Sequence, residues 1–324
     1  MNILLTGGCG FIGSHLVEYL VSKGHNLTVF DKYNSTGSLG WLEKSKVRKD
    51  VEFILGDIRD YDLVSKSLKK KQCVIHLAAL IGIPYSYLSP LAYIRTNIEG
   101  TYNILESVKN HNIDQCIITS TSEVYGSAKT VKISEKHQLV GQSPYAASKI
   151  GADQMALSYF RSFGLPIKLI RPFNTFGPRQ SLRAIIPTII LQLINKNKNL
   201  IMGNTYPKRD FTYVLDLCRA FELMIMKQSC CGEVINIGSG ESISIKELAN
   251  QAMKIAKYRP NIIKTDERKR VKNSEVDNLR CENKKALKLL KWKPKYSFLE
   301  SLQKTFNWYL ENHYKYQKND IYQK

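Results

Sequence analysis

The chain has 324 residues, enough for one large or two smaller domains, and its composition is that of an ordinary globular protein. A net charge of +20, from 48 Lys+Arg against 28 Asp+Glu, brings nucleic acid or an acidic ligand into consideration. The lysines are scattered and no basic arm is interleaved with aromatics. That speaks against nucleic acid and leaves solvated faces or a phosphorylated substrate.

Seven cysteines, Cys9, Cys73, Cys116, Cys218, Cys230, Cys231 and Cys281, show no C-x-x-C or Cys/His ligand spacing. They are expected to be reduced thiols, and no metal site is expected. The sequence runs from Met1 straight into an apolar strand without a basic leader, and no apolar run reaches membrane-spanning length. A cytoplasmic protein with no membrane partner is the expectation.

In chain order, a strand over 3–5 runs into Thr6-Gly7-Gly8-Cys9-Gly10-Phe11-Ile12-Gly13. A helix over 14–23 follows, then a strand over 26–30 ending in Asp31. Strand, Gly-rich turn, helix, strand and acid form the dinucleotide fingerprint in its required context. Gly7 and Gly10 let the backbone approach a pyrophosphate, Gly13 lets helix and strand pack closely, and the helix N-terminus supplies N–H donors. Asp31 can accept from both adenosine ribose hydroxyls, which favours NAD over NADP. A polar excursion over 34–50 leads to a strand over 51–55, with Asp57 placed to meet the adenine edge. The strand over 73–77 closes on Ala78-Ala79, small enough for the strand end to lie under a cofactor. Residues 84–90 are expected to be a loop, and 92–110 one long helix containing Asn97.

A strand over 115–120 then delivers Thr121, Ser122 and Glu123, and a helix over 145–163 follows. Tyr145 and Lys149 lie one turn apart on one face of that helix. A Lys cation beside a phenol favours the phenolate and lowers the Tyr pKa from about 10. Thr121 could share the substrate proton, and Glu123 would be a second base. Strands alternate with helices through 170, so the fold class expected is a Rossmann-type doubly wound parallel α/β sheet with a smaller, interleaved C-terminal substrate-binding α/β domain. Residues 1–172, with 214–237 returning, would bind NAD. Residues 173–213 and 238–312 would bind the substrate, and 313–324 would be a frayed tail.

These motifs, with His76-Leu77-Ala78-Ala79, Asn97-x-x-Gly100-Thr101, Ser143-Pro144-Tyr145-x-x-x-Lys149 and Arg171-Pro172-Phe173-Asn174, resemble the extended short-chain dehydrogenase/reductases. Those are the nucleotide-sugar epimerases, dehydratases and decarboxylases. Glu123 after Thr121-Ser122 is similar to the dehydratase or decarboxylase branch, whereas 4-epimerases usually carry a small residue there. Gln142 and Ser143 stand where the glucuronate decarboxylases carry an Arg. Tyr33-Asn34-Ser35, Ile83-Pro84-Tyr85-Ser86-Tyr87 and Arg179-Gln180-Ser181-x-Arg183 resemble a narrower group, the N-acetylglucosamine 4,6-dehydratases of the legionaminic-acid pathway, which use a GDP- or UDP-linked sugar.

The resemblance implies an NAD-dependent 4,6-dehydratase with Thr121, Ser122, Glu123, Tyr145 and Lys149 catalytic. It places Gly7, Gly10, Phe11, Ile12, Gly13, Asp31, Asp57, Ile58, Leu77, Ala78, Ala79, Asn97, Tyr145, Lys149 and Pro172 at the cofactor. It sets Asn174, Arg179 and Arg209, with Arg183 and Arg270, against the nucleoside diphosphate. Tyr85 and Ser86 would line the sugar pocket or pack a turn, and His76 would be structural. A homodimer through the Asn97 and Tyr145 helices is implied as well. The alternative is a 4-epimerase with Glu123 idle, or a cofactor-binding scaffold without chemistry.

Overall fold

A computed structural model describes residues 1–265 and 276–316. In the first half, β1 (Asn2–Thr6), α1 (Phe11–Ser22), β2 (Asn26–Lys32), β3 (Val51–Gly56), α2 (Tyr61–Ser67) and β4 (Cys73–His76) follow one another. Next come α3 (Ile83–Leu88), α4 (Pro90–Tyr93), a π-helical turn (Ile94–Glu99), α5 (Gly100–Asn110), β5 (Gln115–Thr119), α6 (Pro144–Phe163) and β6 (Ile167–Pro172).

The second half contains β7 (Thr175–Phe176), α7 (Ile185–Ile194), β8 (Asn199–Met202), β9 (Lys208–Arg209), β10 (Thr212–Tyr213), α8 (Val214–Ile225) and β11 (Val234–Ile237). It ends with β12 (Ile243–Ser244), α9 (Ile245–Ala256), β13 (Asn261–Lys264), β14 (Asn278–Leu279), α10 (Lys284–Leu290) and α11 (Phe298–Asn312).

Seven strands form one parallel sheet in the order β11-β6-β5-β4-β1-β2-β3. The chain reverses direction between β1 and β4, and the crevice at that switch point is where such sheets hold ligands. A strand covered on both faces has no polar side, which is why Ile3, Leu4 and Leu5 run consecutively and are all fully buried. One face packs Leu16, Val17 and Leu20 of α1 with Leu217 and Phe221 of α8. The other packs Val64, Ile104, Leu105 and Leu157 from α2, α5 and α6.

Local chemistry fixes the ends of α6. Ser143 accepts from the Ala146 N–H at 3.1 Å, Pro144 fills the first turn, and Gly164 takes φ +68° beyond the last. Two expectations need correcting. Residues 83–88 are helical, because Pro84 in a first turn gives up an N–H that would have no helical partner. The long helix containing Asn97 is interrupted by the π turn, a wider winding that sets Asn97 inward at 1% exposure.

Beyond β6 the second half builds small sheets that the apolar pattern does not announce: β7 with β10, β8 with β13, and β9 between β12 and β14. Asp210, fully buried between β9 and β10, ties in the chain that follows β11 and β14. Its carboxylate accepts from the Ser239 N–H and hydroxyl at 2.8 and 2.6 Å, the Gly240 N–H at 2.9 Å and the Cys281 N–H at 3.0 Å. The two halves also meet at their rim. Trp41, in the excursion after β2, stands edge-on to Trp308 of α11 with centroids 5.4 Å apart. The Lys315 ammonium lies over both indoles, and Tyr316 packs on Tyr309, so 313–316 is not frayed. The rest of the expected tail, and the charged stretch containing Arg270, lie outside the described residues. No described helix is long and apolar enough to cross a membrane.

Candidate active site

At the C-terminal end of β1 the chain turns through a cradle of glycines. Gly7 has φ +75°, and a Cβ there would sit 2.8 Å from the Ala78 nitrogen. A Cβ on Gly13 would fall 2.1 Å from the Gly7 carbonyl oxygen. Internal packing therefore demands both glycines. Gly10 differs: its backbone is extended, and a Cβ would meet only the Gly7 oxygen, at 3.5 Å. Nothing inside the fold requires a glycine at 10, where the first turn of α1 opens its N–H groups. A phosphate approaching that surface does require one. This fits a dinucleotide.

Asp31 ends β2 beside the cradle and accepts from the Cys9 N–H at 2.6 Å and the Lys32 N–H at 2.7 Å. Ala78 lies against Gly7 and donates its N–H to Thr6 Oγ1 at 3.2 Å, so the Leu77-Ala78-Ala79 strand end forms the adjacent wall. Phe11 and Ile12 are half-buried in the first turn of α1, Ile58 is buried against Gly100, and Pro172 closes β6.

Two cofactor-site expectations change. Asn97 spends its amide inside the protein: Nδ2 donates to the Leu80 carbonyl at 3.0 Å and to Ser148 Oγ at 2.9 Å, and Oδ1 accepts from the Leu80 N–H at 2.9 Å. It ties the strand-end loop to α6 and leaves no donor for a ligand. The Asp57 carboxylate folds back onto Arg59, accepting from its backbone N–H and its Nε at 2.9 Å each, so adenine would have to compete with that pair.

The reactive cluster lies where β5 hands over to the turn 122–125. Thr121 caps that turn, its hydroxyl accepting from the Glu123 N–H at 3.2 Å, and it also hydrogen-bonds Tyr145. Ser122 is buried beside it. Tyr145 is 7% exposed and Lys149 4% exposed. Lys149 Nζ donates to the Thr119 carbonyl at 2.7 Å.

The electrostatics differ from the simple expectation of a lysine-lowered phenol. Burial is the largest influence on Tyr145 and pushes its pKa well up. The Thr121 hydrogen bond opposes this, while the charges of Glu123, Tyr93 and Asp153 add to it. Burial also lowers the Lys149 pKa, against the pull of Asp153. Both groups are thus biased toward neutrality, and the phenolate needs a further positive charge. His76 is structural: it bridges Thr6 Oγ1 at 2.8 Å and Thr101 Oγ1 at 3.2 Å, and burial holds its pKa near 3.

Beside the phenol, Tyr93 stacks edge-on to Tyr145 with centroids 6.2 Å apart, and Tyr85 tilts against Tyr93 at 6.1 Å. The 40%-exposed Tyr85 ring thus begins an aromatic path to the phenol. Ser86 is not part of it: fully buried, it donates to the Ile83 carbonyl at 2.7 Å. A Cβ on Gly82 would lie 3.4 Å from Arg183 Nη1 and 3.5 Å from the Tyr93 hydroxyl, so Arg183 joins this aromatic path.

Arg179 is turned onto α1, where its Nη2 pairs with Glu18 at 3.0 Å. Arg209 is 7% exposed and lines a cavity of about 260 Å³ with Phe211, Tyr213 and Tyr296. Asn174 reaches toward the Asp210 carbonyl, at 3.4 Å.

Sequence reading missed Tyr93, whose register with Tyr145 is set only by tertiary packing. It also missed Asp153, although Lys149 and Asp153 have the same four-residue spacing that singled out Tyr145.

The chain matches the sequence model of a family described as GDP-mannose 4,6 dehydratase over residues 4–305. A dTDP-glucose 4,6-dehydratase of Streptomyces antibioticus is 31% identical over 321 residues, covering 96% of this chain and 93% of its own. The crystal structure of a dTDP-glucose 4,6-dehydratase from Streptomyces venezuelae with NAD bound superposes with TM-score 0.89 at 28% identity, over 98% of this chain and 99% of that one. A UDP-glucuronic acid 4-epimerase from Bacillus cereus, solved with UDP-glucuronic acid and NAD, gives TM-score 0.87 at 29% identity, over 97% and 100%.

Proposed function

This chain belongs to the GDP-mannose 4,6-dehydratase family, and from that premise we infer that it is an NAD-dependent hydro-lyase that converts a nucleotide-linked hexose to its 4-keto-6-deoxy sugar. The observation that carries the reading is one cluster at the end of β5, where Thr121 caps the turn that carries Glu123 and both act on the buried Tyr145 phenol. A 4-epimerase needs Thr121 and Tyr145 and has no use for the carboxylate. The finer reading is a GDP- or UDP-linked N-acetylglucosamine, supported by the sequence around Tyr85 and Arg183. Residues 1–172 and 214–237 would serve the cofactor, and 173–213 and 238–312 the nucleotide sugar.

The cofactor is NAD, held by Gly7, Gly10 and Gly13 at the pyrophosphate, by Asp31 at the adenosine ribose and by Lys149 at the nicotinamide ribose. When bound, NAD would supply the hydride acceptor and donor for sugar C4 and C6, and in its oxidised form a positive charge that favours the phenolate. Tyr145 removes the 4-hydroxyl proton, with Thr121 sharing it. The 4-ketone acidifies the C5 proton, which Glu123 takes. The C6 hydroxyl leaves as water with a proton from Glu123, passed through Ser122 or directly, because Ser122 has no useful acidity of its own. Glu123, reprotonated from solvent, returns a proton to C5 as C6 is reduced, and the count closes when Tyr145 releases to solvent the one it took.

Asn174 and Arg209 would hold the diphosphate by charge-assisted hydrogen bonds. A homodimer is supported by the exposed Leu88, Leu91 and Ile94 on the helical run next to α6, at 76%, 56% and 50% exposure. The deciding experiment is incubation with GDP-, UDP- and dTDP-linked hexoses, read by mass. Loss of one water with no net reduction of NAD supports the reading. An isomeric product of unchanged mass would make the protein an epimerase.

A further inference from the structure

We propose that Asp153, clamped by Arg171 and Ser120, is a positioning residue whose buried carboxylate keeps Lys149 an ammonium beside Tyr145. The inference rests on the reading of Tyr145 as the base. Asp153 lies on α6 one turn beyond Lys149, as Lys149 lies one turn beyond Tyr145, so the three share a face. It is fully buried.

One oxygen of Asp153 does nearly all the bonding. Oδ2 accepts from Ser120 Oγ at 2.7 Å, from Arg171 Nε at 3.0 Å and from Arg171 Nη2 at 2.9 Å. Oδ1 is buried and has no hydrogen-bond partner among the described residues. An ion pair serving stability alone would set two guanidinium donors against two oxygens. Here Arg171 spends its remaining arm on the Tyr125 hydroxyl, 2.9 Å from Nη1. The cations that act on the carboxylate are Arg171 and, after it, Lys149.

Charge counting gives the arrangement a function. Lys149, Asp153 and Arg171 together carry one net positive charge in a water-poor interior, and forming the phenolate brings the set to neutrality. Without Asp153 two unscreened cations would remain, and the lysine would shed its proton more readily.

Other titratable groups face this set. Tyr145 shares α6, His76 comes from β4, Arg171 from β6, Glu123 from the turn after β5, and Tyr93 from α4. On α5, Glu106 is committed to Tyr159 and Lys109. His76 is neutral across the working range, so it does not substitute for the carboxylate. Asp153 favours the protonated form of both partners, the phenol and the ammonium. Its removal therefore moves both ionisations the same way.

The test is kcat/KM against pH for the NAD-loaded enzyme and for Asp153→Asn. Both limbs of the profile should shift together to lower pH, by about one unit. A residue that merely supports the core would lower the height of the profile and leave its limbs in place, and that result overturns the proposal. Should Asp153→Asn fail to accumulate as folded protein, the double variant Asp153→Asn/Arg171→Met removes both charges and carries the test. Its limbs should shift in the same direction by less, and unmoved limbs there count equally against the proposal. A wild type that turns over no nucleotide sugar overturns the underlying reading and this one with it, whereas a wild-type profile that the variants leave in place overturns this one alone.

Discussion

Lys149 donates its ammonium proton to the carbonyl oxygen of Thr119 at 2.7 Å, although Tyr145 is its neighbour one helical turn away. The strand end holds the lysine in place, so the phenol is not needed to position it. Tyr145→Phe should therefore keep the site assembled, with NAD affinity within a few-fold of wild type, while turnover drops by about 10³-fold or more. Cofactor titration and product mass on the same preparation check this. Turnover that survives the change would mean another group is the base.

Glu123 separates dehydration from epimerisation. Glu123→Gln should remove the 4-keto-6-deoxy product by about 10²-fold or more. In deuterated water the wild type should place deuterium at C5, and the variant should not. A variant that still forms this product at the wild-type rate would mean that another group takes the C5 proton.

The two arginines differ in what they face, and kinetics can show it. Arg209→Gln should raise KM for the nucleotide sugar by about tenfold, the equivalent of roughly 1.4 kcal/mol of lost diphosphate binding. Arg179→Gln should leave KM unchanged and cost about 1 kcal/mol of stability or less, because it breaks a partly exposed pair with Glu18. A KM effect at 179 equal to that at 209 would contradict the orientation described for its guanidinium.

Two buried histidines should make the fold acid-sensitive. Burial holds His76 near pKa 3 and His15 near 4, against 6.5 in the unfolded chain. Folded pKa values below the unfolded one mean that unfolding takes up protons as pH falls beneath about 6.5. Stability is therefore full above that value and declines below it, by about 1.4 kcal/mol per pH unit for each group. Urea unfolding at about pH 7 and about pH 5 measures the decline. His76→Gln, which keeps a partner for Thr6 or Thr101, should remove about half of the histidine share.

Much of this architecture was legible from residue patterns. The glycines at 7 and 13, the acid at 31 and the Tyr145–Lys149 spacing are local constraints, each set by what the backbone next to it must do. Side chains whose partners are distant in sequence were read less well. Asn97 is bonded to Leu80 and Ser148, and Arg179 to Glu18. No motif reveals a partner more than a hundred residues away, as between Arg179 and Glu18. The short strands β7 to β10 escaped for a related reason. β7, β9 and β10 have two residues each and β8 four, too few to display a period.

The contact between Trp41 and Trp308, under the Lys315 ammonium, fastens the rim of the nucleotide crevice to the last described helix. A catalyst that swings its halves widely apart at each turnover would have to unstack two indoles every time. This latch favours a cleft of nearly constant width, in which substrate exchange proceeds by small loops at the mouth. Shortening the chain before residue 308 would therefore slacken cofactor retention at the opposite end of the sequence, even with every reacting group intact.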